Sequence, residues 1–157
     1  ELWCAPHTQH AFFNHCRDHY PVVLAMQTGG DLGMRMSHAV EQTLRHAGSV
    51  VVIGADCPTL TPADIESALK ILADGTDVVL GPAEDGGYYL VGMHTHHPRL
   101  FESIAWGSAS VMATTEQRLA ELGLSYRKLA TRADIDTPAD YTAWQTNLRV
   151  LPRARTR

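Results

Sequence analysis

Three features are scarce in this chain, and each scarcity narrows what it can be. Cysteine occurs only at Cys4, Cys16 and Cys57, an odd number without CxxC spacing. A disulfide framework or structural zinc site is therefore not expected, and a reducing, cytoplasmic setting is. Long apolar runs are missing too: no stretch approaches a membrane span and no signal-peptide pattern is visible, so no membrane partner is expected. Excess positive charge is the third absence. Lys and Arg total 13 against 17 Asp and Glu, a net charge of −4, which offers no general attraction to nucleic acid or anionic lipid. Arg149, Arg153, Arg155 and Arg157 read as a solvated basic tail over 149–157.

Several catalytic signatures are absent as well. No Walker loop or dinucleotide fingerprint occurs, because the spacing and lysine they require are missing. His15 and His19 stand four apart without a His-Glu-x-x-His motif, and His94, His96 and His97 fall in a surface turn past a strand. Ser108 and Ser110 lack the nucleophile-elbow pattern, so serine hydrolase chemistry is not supported. The chain opens without methionine on strand-like Glu1-Leu2-Trp3-Cys4, as if the start of a larger protein were missing.

What is present is an alternation of apolar runs and helical patterns. With 157 residues and 45% apolar composition, the chain suits one compact domain over 1–148. Pro21 to Met26 and Val50 to Gly54 read as buried strands, with further strands at Asp77 to Leu80 and Tyr88 to Val91. Met36, Ala39, Val40, Thr43, Leu44 and Ala47 recur on one helix face. Thr61 as cap, Pro62 at the first helical position and Asp64 as capping-box acid start another helix, with Ile65, Ala68, Leu69 and Leu72 facing inward. Val111, Thr115, Leu119 and Leu122 give a further helix stopped near Gly123. Thr-Pro-Ala-Asp recurs at 137–140, a second use of the same helix start, leading into Tyr141, Trp144 and Leu148. Strands alternating with helices predict a three-layer α/β/α sandwich around a mostly parallel mixed sheet.

Acidic turns follow the strands, where open parallel sheets bind ligands. Asp56 leaves the apolar run before Cys57-Pro58; it suits a hard cation such as Mg²⁺ or Mn²⁺, or equally an Asx turn. Asp134 and Asp136, two apart, point the same way in an extended segment. Either could join Asp56 on a metal, or Asp136 could merely shape the turn before the last helix. Glu84-Asp85-Gly86-Gly87 offers two acids on a backbone able to approach a ligand, suited to binding hydroxyls or acting as general base, or else a polar hairpin connection. Tyr88 and Tyr89 alternate, so one at most is expected to line a site. Gln27-Thr28-Gly29-Gly30-Asp31-Leu32-Gly33-Met34-Arg35 forms a second glycine-rich strand-to-helix connection, with Arg35 available for phosphate.

The segments QTGGDLGMRM at 27–36, VVIGADCPTL at 51–60, DVVLGPAEDGGYYLVGM at 77–93, AWGSAS at 105–110 and DIDTPAD at 134–140 together resemble a bacterial glycosyltransferase-like family of the arsenosugar-biosynthesis or radical-SAM/selenodomain-associated type. That family lies in the nucleotide-diphospho-sugar transferase superfamily with the GT-A fold. The GADCP and DIDTPAD turns are also similar to those of molybdenum-cofactor nucleotidylyltransferases and phospholactate guanylyltransferases. The resemblance implies a divalent cation, Mg or Mn, held by Asp56 with Asp134 or Asp136. It places a nucleotide-sugar donor near Gln27, Gly30, Asp31, Gly33, Arg35 and Asp56. It puts Glu84 and Asp85 at the chemistry and a small-molecule acceptor near Gly86, Gly87, Tyr88 and Trp106. Relatives begin with an earlier strand, a basic glycine-rich loop and a helix, which nothing in residues 1–20 matches. The resemblance therefore implies an N-terminally shortened form with unpaired strand edges, weak donor binding or self-association. Competing readings are a nucleotidylyltransferase acting on a phosphorylated small molecule and a non-catalytic binding protein of the same fold.

Overall fold

The computed structural model describes residues 1–150, with side chains through 146. The expected basic tail and the inward position of Leu148 lie outside the described side chains. Strands β1 (Leu2–Cys4) and β2 (Leu24–Met26) pair in parallel, with helix α1 (Ala11–His19) between them in sequence. Helix α2 (Leu32–Leu44) leads to β3 (Val50–Ile53), and α3 (Pro62–Ala73) leads to β4 (Val78–Pro82). Strand β5 (Tyr88–Met93), a short 3-10 turn at Pro98–Leu100, α4 (Val111–Leu122), β6 (Tyr126–Lys128) and α5 (Pro138–Val150) complete the chain.

The second sheet runs β3-β5-β4-β6. Strands β3, β4 and β6 share one direction and β5 alone is reversed, so the sheet is mixed. The reversal follows from chain length: the short connection from Ala83 to Gly87 can only return antiparallel, whereas parallel neighbours need a crossover. Residues of β4 alternate between two cores. Val78 and Leu80 join Val40, Leu100, Phe101 and Leu119 on the α2 and α4 side. Val79 joins Ala68 and Leu72 of α3 on the other. Helices on both faces of one sheet make the expected α/β/α sandwich.

Local sequence explains the best-defined helix ends. Asp64 Oδ2 accepts from Thr61 N at 2.8 Å and from Thr61 Oγ1 at 2.6 Å, completing the box in front of Pro62. Gly123 ends α4 in the left-handed region. Other expectations need correction. Leu69 is 42% exposed, because the α3 stripe that reaches the sheet is the narrower Ala68–Leu72 row. Ala47 lies beyond the C-cap of α2 at Arg45. The Pro21–Met26 run is neither fully strand nor buried: only Leu24–Met26 pairs, and Val23 and Met26 are 70% and 54% exposed. The reason is topological, since among the described residues β2 has a strand on one side only.

Among the described residues, β1 and β3 each leave one edge unpaired. Leu2 N donates to Val23 O and Gln27 N to Cys4 O, so those main-chain groups of β1 face β2. Trp3 O instead accepts the Gln27 side-chain amide at 3.0 Å. Gly54 N donates to Tyr89 O, and by antiparallel alternation the main-chain groups of Val51 and Ile53 point away from β5. Among the described residues no strand pairs there. Trp3 and Val50 to Ile53 both line one cleft.

Candidate active site

Three chain segments meet at the end of this cleft, and main-chain hydrogen bonds hold them together. The exit of β3 carries Asp56, whose carbonyl accepts from Ile135 N at 2.9 Å. Buried Cys57 directs its thiol toward Ala133 O. The β4–β5 hairpin carries Glu84 and Asp85, and Glu84 N donates to Arg132 O at 3.1 Å. The hairpin is wedged onto the start of α4: Met112 N donates to Gly86 O, and Gly86 has φ 91° with Ala109 directly against it. A side chain at Gly86 would be both strained and obstructed.

This stitching brings Asp85, Asp134 and Asp136 together, each offering a carboxylate oxygen within 4.8 Å of the others. Among the described residues none of the three enters an ion pair. Burial pushes the Asp134 carboxyl above its ordinary value, and the neighbouring charges of Asp85, Asp136 and Asp56 push it further. One Asp85 oxygen already accepts from Gly87 N at 2.7 Å, yet the three crowded carboxylates offer oxygen donors only, the donor set that Mg²⁺ and Mn²⁺ prefer. The expected trio was Asp56, Asp134 and Asp136. The structure adds Asp85 to the pair and leaves Asp56 outside the group, though in the same cleft wall.

The cleft has a volume of 1110 Å³, and Gln27, Arg35, Asp56, Gly87, Tyr88 and Trp106 are among the expected residues that line it with the three acids. Arg35 lines the cleft, and its Nε donates to Gly29 O at 3.2 Å. Asp31 is occupied as the cap of α2, accepting from Met34 N at 2.7 Å. Gly30, exposed beside it, and Asp31 are not brought to the cleft wall. Gly33 is buried for another reason: a Cβ there would lie 2.4 Å from Phe101 O and 2.6 Å from Trp106 Nε1. Its smallness seats α2 against the tryptophan.

Tyr88 packs edge-on to Trp106, with ring centroids 6.1 Å apart, on the α4 side of the sheet. Burial drives the Tyr88 hydroxyl strongly upward, so it keeps its proton. That hydroxyl lies beside Thr115, and Trp106 Nε1, buried against Gly33, has no hydrogen-bond partner among the described residues. Tyr89 turns to the α3 side and donates to Ala130 O, as alternation requires, yet both tyrosines contribute atoms to the cleft wall. Glu84 faces a second cavity of 520 Å³ that shares Asp85, Asp134 and Asp136 with the first. The three acids therefore stand where two cavities meet. His46 lines the cleft, its Nε2 3.1 Å from Glu1 Oε1, whereas Ser37 Oγ meets His96 Nε2 at 2.8 Å and His94 lies 3.7 Å from Asp77.

Sequence reasoning missed Arg132. Its Nη2 lies 2.7 Å from each carboxylate oxygen of Asp64, and its main chain is bound to the hairpin. Nothing in the local pattern announces a pairing across 68 positions.

Comparison with solved structures shows what this arrangement is similar to. A structure from Desulfovibrio desulfuricans G20 described as a "putative nucleotide-diphospho-sugar transferase" superposes with a TM-score of 0.82 at 31% identity. The superposition covers 94% of this chain and 66% of that one, so this chain spans slightly less than two thirds of its relative. CMP:2-keto-3-deoxy-manno-octonic acid synthetase, solved with CTP, superposes with a TM-score of 0.60 at 12% identity, over 89% of this chain and 78% of that one. The fold is that of the nucleotide-diphospho-sugar transferases, an α/β sandwich with a mixed sheet. No curated protein matches the sequence. A sequence profile does match residues 1–108, which include Asp56 and Asp85, and by that match the chain belongs to the bacterial family DUF2064, described as an uncharacterized protein conserved in bacteria.

Proposed function

We propose that this chain carries the cation and acceptor side of a metal-dependent glycosyltransferase that uses a nucleotide-diphosphate sugar and a small-molecule acceptor. The observation carrying this reading is the convergence of Asp85, Asp134 and Asp136 within 4.8 Å beside a 1110 Å³ cleft. The likeness to the Desulfovibrio structure supports the substrate class. Asp85, Asp134 and Asp136 would hold Mg²⁺ or Mn²⁺, with Asp56 at hand. A cation bound there supplies positive charge against a diphosphate and the charge that builds on it as it leaves.

The remaining roles belong to the chain itself. Arg35 reaches the cleft from the start of α2 and binds phosphate oxygens. Because Asp85 is committed to the cation, Glu84 remains as the general base, approaching from the second cavity. Tyr88 and Trp106 contribute aromatic surface to the cleft wall, against which the acceptor packs.

Calorimetry with nucleotide-diphosphate sugars, with and without Mn²⁺, tests the proposal. Binding that requires Mn²⁺ and disappears in Asp85→Asn supports it. Cation-independent binding overturns it. Release of pyrophosphate from a nucleoside triphosphate and a phosphorylated acceptor would identify nucleotidyl transfer instead.

A further inference from the structure

We propose that Asp64 and Arg132 form a positioning clasp that fixes the segment bearing Asp134 and Asp136 against the hairpin bearing Asp85. The inference rests on the cation reading for its functional meaning. Its geometry is independent of that reading.

The chain contains its own control. Thr-Pro-Ala-Asp occurs twice, and both copies build the same helix start. At the second, Asp140 Oδ2 accepts from Thr137 N at 2.8 Å and Thr137 Oγ1 at 2.7 Å, and among the described residues no cation takes part. At the first, Asp64 makes the equivalent bonds to Thr61 and additionally receives Arg132 at 2.7 Å on both oxygens. The box does not need an arginine to cap a helix. The extra partner therefore serves Arg132 and the acidic segment just beyond it.

Arg132 is held from three directions. Its N–H donates to Pro82 O at 3.0 Å, its carbonyl accepts from Glu84 N at 3.1 Å, and its guanidinium is tied to α3 through Asp64. The side chains of Arg132 and Asp64 are only 23% and 12% exposed, so the pair is little screened by water. Three residues on, Ile135 N is fixed to Asp56 O. Asp134 lies between these two anchors, one next to the Asp85 hairpin and one at the exit of β3. Asp64 also keeps the Arg132 guanidinium engaged, and among the described residues no ion pair forms with the three acids.

The test compares Arg132→Met, Arg132→Lys and Thr61→Ala with the parent chain. One readout is amide exchange of the cation-free protein by NMR; the other is Mn²⁺ binding followed by EPR. Arg132→Met is expected to accelerate exchange at Glu84 and Ile135, leave the β4 and β5 amides unchanged, and weaken Mn²⁺ binding about tenfold, the lower end of losses seen for groups that orient metal ligands. Arg132→Lys should recover part of both effects, and Thr61→Ala, which weakens the cap alone, should leave Mn²⁺ affinity intact. Parent-like exchange at Glu84 and Ile135 in both arginine variants overturns the clasp, as does an equal loss of Mn²⁺ affinity in Thr61→Ala. If the parent chain binds no Mn²⁺, the cation reading fails, and the exchange data still decide whether the clasp exists.

Discussion

Ile135 N–H donates a 2.9 Å hydrogen bond to the carbonyl oxygen of Asp56, fastening the exit of β3 to the residue between Asp134 and Asp136. Because the main chain makes this bond, the exposed Asp56 side chain is free for a ligand. Asp56→Ala should therefore change stability by less than about 0.5 kcal/mol in urea unfolding, as surface substitutions usually do. The same variant should lose Mn²⁺-dependent donor binding in calorimetry. Unchanged binding would remove Asp56 from the site.

Burial of Asp134, reinforced by the neighbouring carboxylates, gives two opposite pH effects. Its carboxyl is raised above the ordinary 3.8, so protons compete for it at a higher pH than for an isolated aspartate. Mn²⁺ affinity should begin to fall while the pH is still above that value. For folding the sign is reversed: the folded state holds this proton more readily than the unfolded one, so ionisation costs stability above the raised value and nothing below 3.8. Asp134→Asn is expected to raise the melting midpoint near neutral pH, with the gain vanishing in acid. A midpoint that falls at neutral pH would contradict this account.

Asp64 behaves in the other direction. Burial alone would raise its carboxyl, but hydrogen bonds from Arg132 and Thr61 outweigh burial and hold it below 3.8. Its contribution to stability is complete above 3.8 and is lost as the pH falls through the depressed folded value. Asp64→Asn should destabilise the protein at neutral pH and flatten its acid unfolding profile below 3.8, as followed by circular dichroism.

Gly86→Ala tests the hairpin. A Cβ there would lie 2.4 Å from Ala109 O on a backbone at φ 91°. Strain of this kind costs about 1–3 kcal/mol. In a chain of this size each kcal/mol lowers the melting temperature by about 2–4 °C. Gly75, at φ 94° with nothing within 4 Å, provides the comparison, and its alanine variant should lose less.

The helix starts at Thr61 and Thr137 and the stop at Gly123 are local chemistry, and the sequence alone shows them. The pair Asp134 and Asp136 is legible for the same reason, since residues two apart on extended chain share a side. Asp85 joining them is not, because that depends on how the hairpin folds back against a segment nearly 50 positions away. Strand β6 carries only exposed Tyr126, Arg127 and Lys128, so no apolar alternation marks it. Exposure of Val23 and Met26 is equally hidden: the run looks buried, but its place at the margin of a two-stranded sheet decides otherwise.

The open edges of β1 and β3 divide the protein's stability as well as its sheet. Ahead of α2, only Cys4 belongs to the buried apolar set, and α1 buries no residue at all. What fastens this part to α2 is a thin set of contacts, among them Glu1 with Thr43 and His46, and Trp3 edge-on to His38. Among the described residues no strand hydrogen bonds cross from β1 to β3, so in this chain the first 26 residues can open as a separate cooperative unit while the remainder stays folded. Exchange of the β1 and β2 amides should accordingly proceed at a lower free energy than that of β4 and β5. The cleft would then inherit one firm wall, which carries the acids, and one that yields.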